Sequence, residues 1–253
     1  ADRGGMYLDS KPGVYSDVIE LDFASLFPSI IATRNISPET LNCACCQAVA
    51  NYDLDGEFVP LNPEDANQVF RERNRKGLFS SKLFPLENPS ALQVPGLKTH
   101  TCAQVQGFLG RVVAPLIQRR MELKQQRKRK GDIYDLQQNA LKWLLVTCFG
   151  YTGYKNARFG RIEAHEAICA WAREILLTTI SIAEDRGWNV LHAIVDCVWI
   201  ENPNLKTRTE KIDAAKQLSR KITDTIGIPL EFEDIYDFIG FLPSRMHGSG
   251  VAY

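Results

Sequence analysis

The chain has 253 residues, 45% of them hydrophobic and 24% charged, and its 30 Lys and Arg side chains balance 30 Asp and Glu for a formal net charge of zero. That composition excludes a disordered tail, a collagen-like fibre and a disulfide-stapled miniprotein, and a chain of this length buries about 70–75% of its unfolded surface as one large domain or two small ones. There is no apolar run of about 18 residues, and Ala1-Asp2-Arg3-Gly4-Gly5 has neither a basic nor an apolar leader region, so the expectation is a cytoplasmic chain with no membrane partner.

Val18, Glu20 and Asp22 alternate with Ile19, Leu21 and Phe23, which predicts a strand that starts near Gly13 and runs into a short helix with Pro28 in its first turn. Residues 43–100 lose this periodicity and carry Pro60, Pro63, Pro85, Pro89 and Pro95, the text of an irregular insertion. Phe108–Lys130 reads as mostly helical, with Leu109, Val112, Val113, Leu116, Ile117, Met121 and Leu123 on its apolar side, Pro115 marking a kink or the true first turn and Gly131 the stop. A second helix follows over about 133–149, with Leu136, Ala140, Trp143, Leu144 and Thr147 at helical spacing, so the pair forms a hairpin. Ile162–Arg186 is a third long helix closed by Gly187. Asn189–Ile200 is an apolar strand, residues 207–226 an amphipathic helix, and Leu230–Leu242 further strand. The order predicts an α+β fold, an antiparallel sheet with helices on one face and a projecting helical hairpin.

Two carboxylates stand inside the apolar strand text, Asp22 between Leu21 and Phe23 and Asp196 between Val195 and Cys197. A charge there is costly unless a hydrogen-bond network or a cation compensates it, and the strands alone leave both readings open. Of the seven cysteines, Cys148, Cys169 and Cys197 read as small core residues, whereas Cys43, Cys45, Cys46 and Cys102 cluster at the two ends of the insertion. That cluster admits a zinc site, a disulfide or free thiols, and Cys-x-Cys-Cys is not a standard zinc spacing.

DFASLFPSII at 22–31, LKWLLVTCFGYTGY at 141–154 and NVLHAIVDCVWI at 189–200 follow a glycine-pair lead-in, RGGMYLDSKPGVYSDVIELDF at 3–23. In that order they resemble motifs A, B and C of the family B DNA polymerases, most closely the divergent second archaeal paralogue with a degenerate motif C. The resemblance implies a palm at 1–42, the irregular insertion at 43–103, fingers at 104–154 and continued palm at 155–253. It implies DNA-directed nucleotidyl transfer from a dNTP to a primer 3′-hydroxyl on primer-template DNA. Two Mg²⁺ ions, with Mn²⁺ able to substitute, would be held about 3.5–4 Å apart by Asp22 and Asp196. The carbonyl of Phe23 would be a further ligand, and Glu231 and Glu233 fall loosely where the family carries further acids, Glu233 being the one taken as a ligand. Backbone N–H groups of Ser25, Leu26 and Phe27 would receive phosphates at a helix start, and the Phe27 ring would lie under the sugar. Arg120 and Lys142 would contact the triphosphate, and Gly150, Tyr151, Gly153 and Tyr154 the nascent pair and template.

The departures from the family pattern are Phe27 and Phe149 for Tyr, Val146 and Thr147 for Asn and Ser, and Ile194 for the first motif C aspartate. They motivate an alternative of another class, a catalytically silent palm kept for DNA binding or assembly; a metal-dependent nuclease ranks third because it leaves Lys142 and the hairpin unexplained. The family's exonuclease and thumb elements do not fall within residues 1–253, so the expectation is a fragment or reduced core served by those domains or by other replication or repair subunits, with weak, salt-dependent DNA affinity. The zero net charge hides a local surplus: residues 111–161 hold twelve basic and three acidic side chains, a basic segment on the expected fingers.

Overall fold

The computed structural model describes residues 4–43, 93–102, 105–130, 132–243 and 250–251. Most of the insertion, Cys45, Cys46 and the helix stop at Gly131 lie outside the described residues. The chain forms two compact units, one made of Gly5–Ala24 with the residues from Ala172 onward, the other principally of Ser25–Trp171.

The first unit is built on one sheet. Its strands are β1 (Tyr7–Leu8), β2 (Gly13–Phe23), β3 (Asn189–Ile194), β4 (Cys197–Glu201), β5 (Leu230–Pro243) and β6 (Gly250–Val251), in the order β1-β3-β4-β2-β5-β6, each pair antiparallel. Strand β2 is central, paired with β4 on one side and β5 on the other. Because side chains alternate, Ile19, Leu21 and Phe23 share one face and are buried, while Glu20 and Asp22 share the other and are half-buried. The register adds Val198 and Ile200 from β4 and Leu230 and Ile235 from β5 to the apolar face. Helix α5 (Arg208–Ile226) packs on β5 and β2 through Ala215, Leu218, Ile222 and Ile226, one stripe at helical spacing. Ser219 Oγ and Thr223 Oγ1 fasten it to the Leu230 carbonyl and amide.

In the second unit, α1 (Leu26–Thr33) packs on α2 (Phe108–Lys130) and α3 (Asp132–Thr152), which pack along each other, and α4 (Ile162–Glu184) begins here. Asn35 anchors the start of α2: its amide donates to the carbonyls of Cys102 and Val105 at 2.8 Å and its oxygen accepts from Gly107 N–H at 2.7 Å. A side chain at Gly107 would lie 2.5 Å from Ser37 Cβ, so only glycine passes there. Among the described residues no helix is long and apolar enough to cross a membrane.

The fold is the α+β arrangement read from the sequence, with two corrections. Residues 189–200 are not one strand but the hairpin β3–β4, turned at Val195-Asp196, so Asp196 lies in a turn. On α3 the helically spaced set Leu136, Ala140, Trp143, Leu144 and Thr147 is exposed, with Trp143 at 72%, and the buried positions are Gln138, Leu145 and Thr152. These three recur every seven residues, the seam of a helix packed mainly along one neighbour, here α2, and that narrow seam leaves much of the rest of the helix to solvent.

Helix α5 begins with a reciprocal cap: Thr207 Oγ1 accepts from Glu210 N–H at 3.2 Å while the Glu210 carboxylate accepts from Thr207 N–H at 3.0 Å. Thr207→Ala is expected to cost about 1 kcal/mol, read as a lower urea midpoint at unchanged slope.

Candidate active site

In the sheet unit the acidic residues converge because of how β2 ends and β3 turns. Asp22 is the penultimate residue of β2 and pairs in register with Cys197 at the start of β4. The two-residue turn before Cys197 requires a positive φ, and Val195 supplies it at 50°, a conformation that costs a β-branched residue on the order of 1–3 kcal/mol. Backbone bonds hold it there: Val195 N–H donates to the Met6 carbonyl and Phe23 N–H to the Asp196 carbonyl, both at 2.9 Å. Gly5 makes room, since a Cβ there would stand 2.9 Å from Val195 Cγ2.

As a result, carboxylate oxygens of Asp22 and Asp196 and the Sγ of Cys197 lie within 4.8 Å of one another, all half-buried, and this group could hold a metal ion. Cys197 Sγ donates to Asp22 Oδ1 at 3.0 Å and is 3.8 Å from Asp196 Oδ1. Burial first, then the Asp22 hydrogen bond and the charges of Asp22, Asp196 and Glu20, push this thiol well above its ordinary pKa, so it stands protonated. Glu231 is the β5 residue opposite Asp22, and like charges directly opposite on paired strands repel. Glu233 is the extra residue of a β-bulge that shifts the β2–β5 register between Glu20 and Leu21; it is exposed and outside the metal-capable group. Phe23 ends β2 with its ring in the core.

The other expected residues lie in the helical unit. Ser25 caps α1 with a left-handed backbone, φ 55°, and its hydroxyl accepts a hydrogen bond from the buried guanidinium of Arg120 rather than from the helix amides. Leu26 and Phe27 are the first two helical residues, so their N–H groups have no partner within the helix, and Pro28 next to them has no N–H. The Phe27 ring stacks on Phe149 with centroids 4.0 Å apart, and Phe149 stacks on His165 at 4.5 Å. A side chain at Gly153 would approach the His165 ring to 3.0 Å. Lys142 is exposed on α3, as are Gly150 and Tyr151, and Tyr154 follows the helix, its ring edge-to-face with Tyr151 at 6.1 Å. Cys43 Sγ is 3.7 Å from His100 Nε2, and Cys102 Sγ accepts from Val105 N–H at 3.3 Å.

Residues 2–239 match the family model described as DNA polymerase family B. The chain belongs to that family. It is 30% identical over 212 residues to DNA polymerase 2 of Saccharolobus solfataricus, covering 84% of this chain and 25% of that protein. It is 28% identical over 240 residues to a DNA polymerase of Thermococcus gorgonarius, covering 92% and 26%. The structure of the family B DNA polymerase from the archaeon Pyrobaculum calidifontis superposes with a TM-score of 0.62 at 23% identity, over 99% of this chain and 28% of that one, a likeness of fold. This family B chain thus spans about a quarter of the length of the curated relatives it matches.

Beside the expected residues stand three groups of this family B chain that the sequence marks weakly or not at all. Cys197 was read as core, yet it stands between the two aspartates; its place next to Asp196 was the available signal. LEFED offers both Glu231 and Glu233, and which of them lies opposite Asp22 is set by a one-residue bulge that cannot be read from the sequence. His165, thirteen residues past the motif B end of α3, carried no signal.

Glu20, on the same face as Asp22, accepts a hydrogen bond from the Tyr236 hydroxyl. That bond, then burial and the charges of Glu20 and Asp234, push the phenol up to about 12 from an ordinary 10.0. The raised pKa contributes stability that is complete below about 10 and is lost as pH rises through about 12. Ultraviolet titration of the parent against Tyr236→Phe should isolate a phenol ionising near 12, and Glu20→Gln should bring it back towards 10.

Proposed function

We propose that this chain is the palm and fingers core of a DNA-directed DNA polymerase that transfers a deoxynucleotide to a primer 3′-hydroxyl. The observation that carries the reading is the convergence of the Asp22 and Asp196 carboxylates in a family B chain. The donor chemistry fits divalent cations: two hard carboxylates side by side, with Glu231 across from one of them, are a concentration of negative charge that a cation offsets. Asp22 and Asp196 are the residues assigned to hold Mg²⁺ or Mn²⁺, and the Phe23 carbonyl is assigned to them as a further ligand. When bound, such ions lower the pKa of the attacking hydroxyl and neutralise charge on the transferred phosphate.

The remaining roles belong to the helical unit. The amides of Leu26 and Phe27 and the start of α1 are assigned to the triphosphate, as is Arg120, whose bond to Ser25 orients its guanidinium near that same helix start. Lys142, exposed on α3, is assigned to the same anion. Cations fixed before the reaction stabilise charge that develops on the pyrophosphate without having to reorganise. Phe27, fixed by its stack on Phe149, is assigned to the sugar, where its bulk disfavours a 2′-hydroxyl. The exposed residues Gly150, Tyr151 and Tyr154, together with Gly153, are assigned to DNA.

A second reading, a silent palm retained for DNA binding or assembly, is favoured by one observation. Ile194, where the family pattern has its first motif C aspartate, is 37% exposed at the end of β3, an apolar group where a third carboxylate would stand.

Primer extension with Mg²⁺ or Mn²⁺ separates the two. Asp22→Ala and Asp196→Ala are each expected to lower the rate by at least about a hundredfold. Equal rates in all three chains would remove both residues from the chemistry. A parent that binds DNA but extends no primer would favour the second reading.

A further inference from the structure

The carboxylate site has a third donor that the proposed chemistry leaves unused. Cys197 is fixed as the first residue of β4 by its pairing with Asp22, so its sulfur reaches the site without any backbone change. Its distances to the two carboxylates suit shared coordination. A metal bound to sulfur at about 2.3 Å and to oxygen at about 2.1 Å holds those atoms about 3.1 Å apart at a right angle and about 3.6 Å apart at a tetrahedral angle. The separations are 3.0 Å to Asp22 Oδ1 and 3.8 Å to Asp196 Oδ1, which bracket those values.

Sulfur changes which ion the site prefers. Mg²⁺ takes oxygen ligands and keeps its waters, so the thiol contributes nothing to holding it. Zn²⁺, Co²⁺ and Cd²⁺ accept two carboxylates and one thiolate readily and leave a fourth position for water or a substrate oxygen. We propose that Cys197 is a ligand of this site, which therefore binds thiophilic divalent cations in competition with Mg²⁺. The inference rests on Asp22 and Asp196 being metal ligands. On binding, the metal–sulfur bond replaces the sulfur–hydrogen bond, the proton leaves to solvent, and nothing is oxidised or reduced.

Absorption of the 253-residue chain titrated with Co²⁺ tests it, because a thiolate-to-cobalt charge-transfer band reports sulfur coordination independently of activity. The band is expected in the parent and in a chain with Cys43, Cys45, Cys46 and Cys102 all changed to Ser. It is expected to vanish in Cys197→Ser and in Asp196→Asn, two near-isosteric changes at opposite sides of the site whose folding circular dichroism checks. Cys197→Ser should weaken Zn²⁺ binding by about tenfold or more while Mn²⁺ binding stays within about twofold. A band that survives in Cys197→Ser, or equal Zn²⁺ affinity in parent and Cys197→Ser with Mn²⁺ still bound, overturns the thiol ligand and leaves the carboxylate reading standing. Failure of the parent to bind Mn²⁺, Co²⁺ or Zn²⁺ overturns both.

Discussion

The hydrogen bond from Phe23 N–H to the Asp196 carbonyl joins the end of the central strand to a turn that would otherwise be expensive to hold. It continues the β2–β4 ladder one step past the Asp22–Cys197 pair and fixes where Asp196 begins. One such bond contributes about 0.5–1.5 kcal/mol net, less than the strain of a valine at positive φ can cost. The turn therefore also needs the Met6 carbonyl, and Met6 is held by β1, whose Tyr7 pairs with Ile194. This gives a physical reason for the glycine pair near the start of the chain: Gly5 must be small for Val195 to fit.

What the sequence disclosed depended on whether a signal was local. The alternation in β2 was readable because one face is apolar and the other charged, and Phe108–Lys130 because its apolar residues keep a helical period. The β3–β4 hairpin was hidden because valine is among the residues least suited to its turn; an Asn or Gly at 195 would have announced it. Choosing between Glu231 and Glu233 required knowing the bulge, and the buried seam of α3 depends on which helix it meets. In each of these the deciding interaction comes from a segment distant in sequence.

Two of the departures from the family pattern form one unit in space. Phe27 and Phe149, each standing where a tyrosine is usual, lie face to face at an interplanar angle of 14°. With no hydroxyl on either ring, the pair has no polar group to satisfy and is held by contact area and by the His165 ring stacked behind it. Because the two rings are in contact, substitutions at 27 and 149 are expected to be non-additive.

The face of the sheet that carries Glu20, Asp22, Glu231 and Asp234, with Asp196 beside them, brings together like charges that the unfolded chain disperses, and like charges brought together repel. Cations drawn to that face relieve the repulsion only in the folded state, so folding and cation occupancy are thermodynamically linked. If cations occupy that face as proposed, the melting temperature of this protein is a function of ion activity as well as of its core, and the acidic face becomes a gauge of the ionic medium around it.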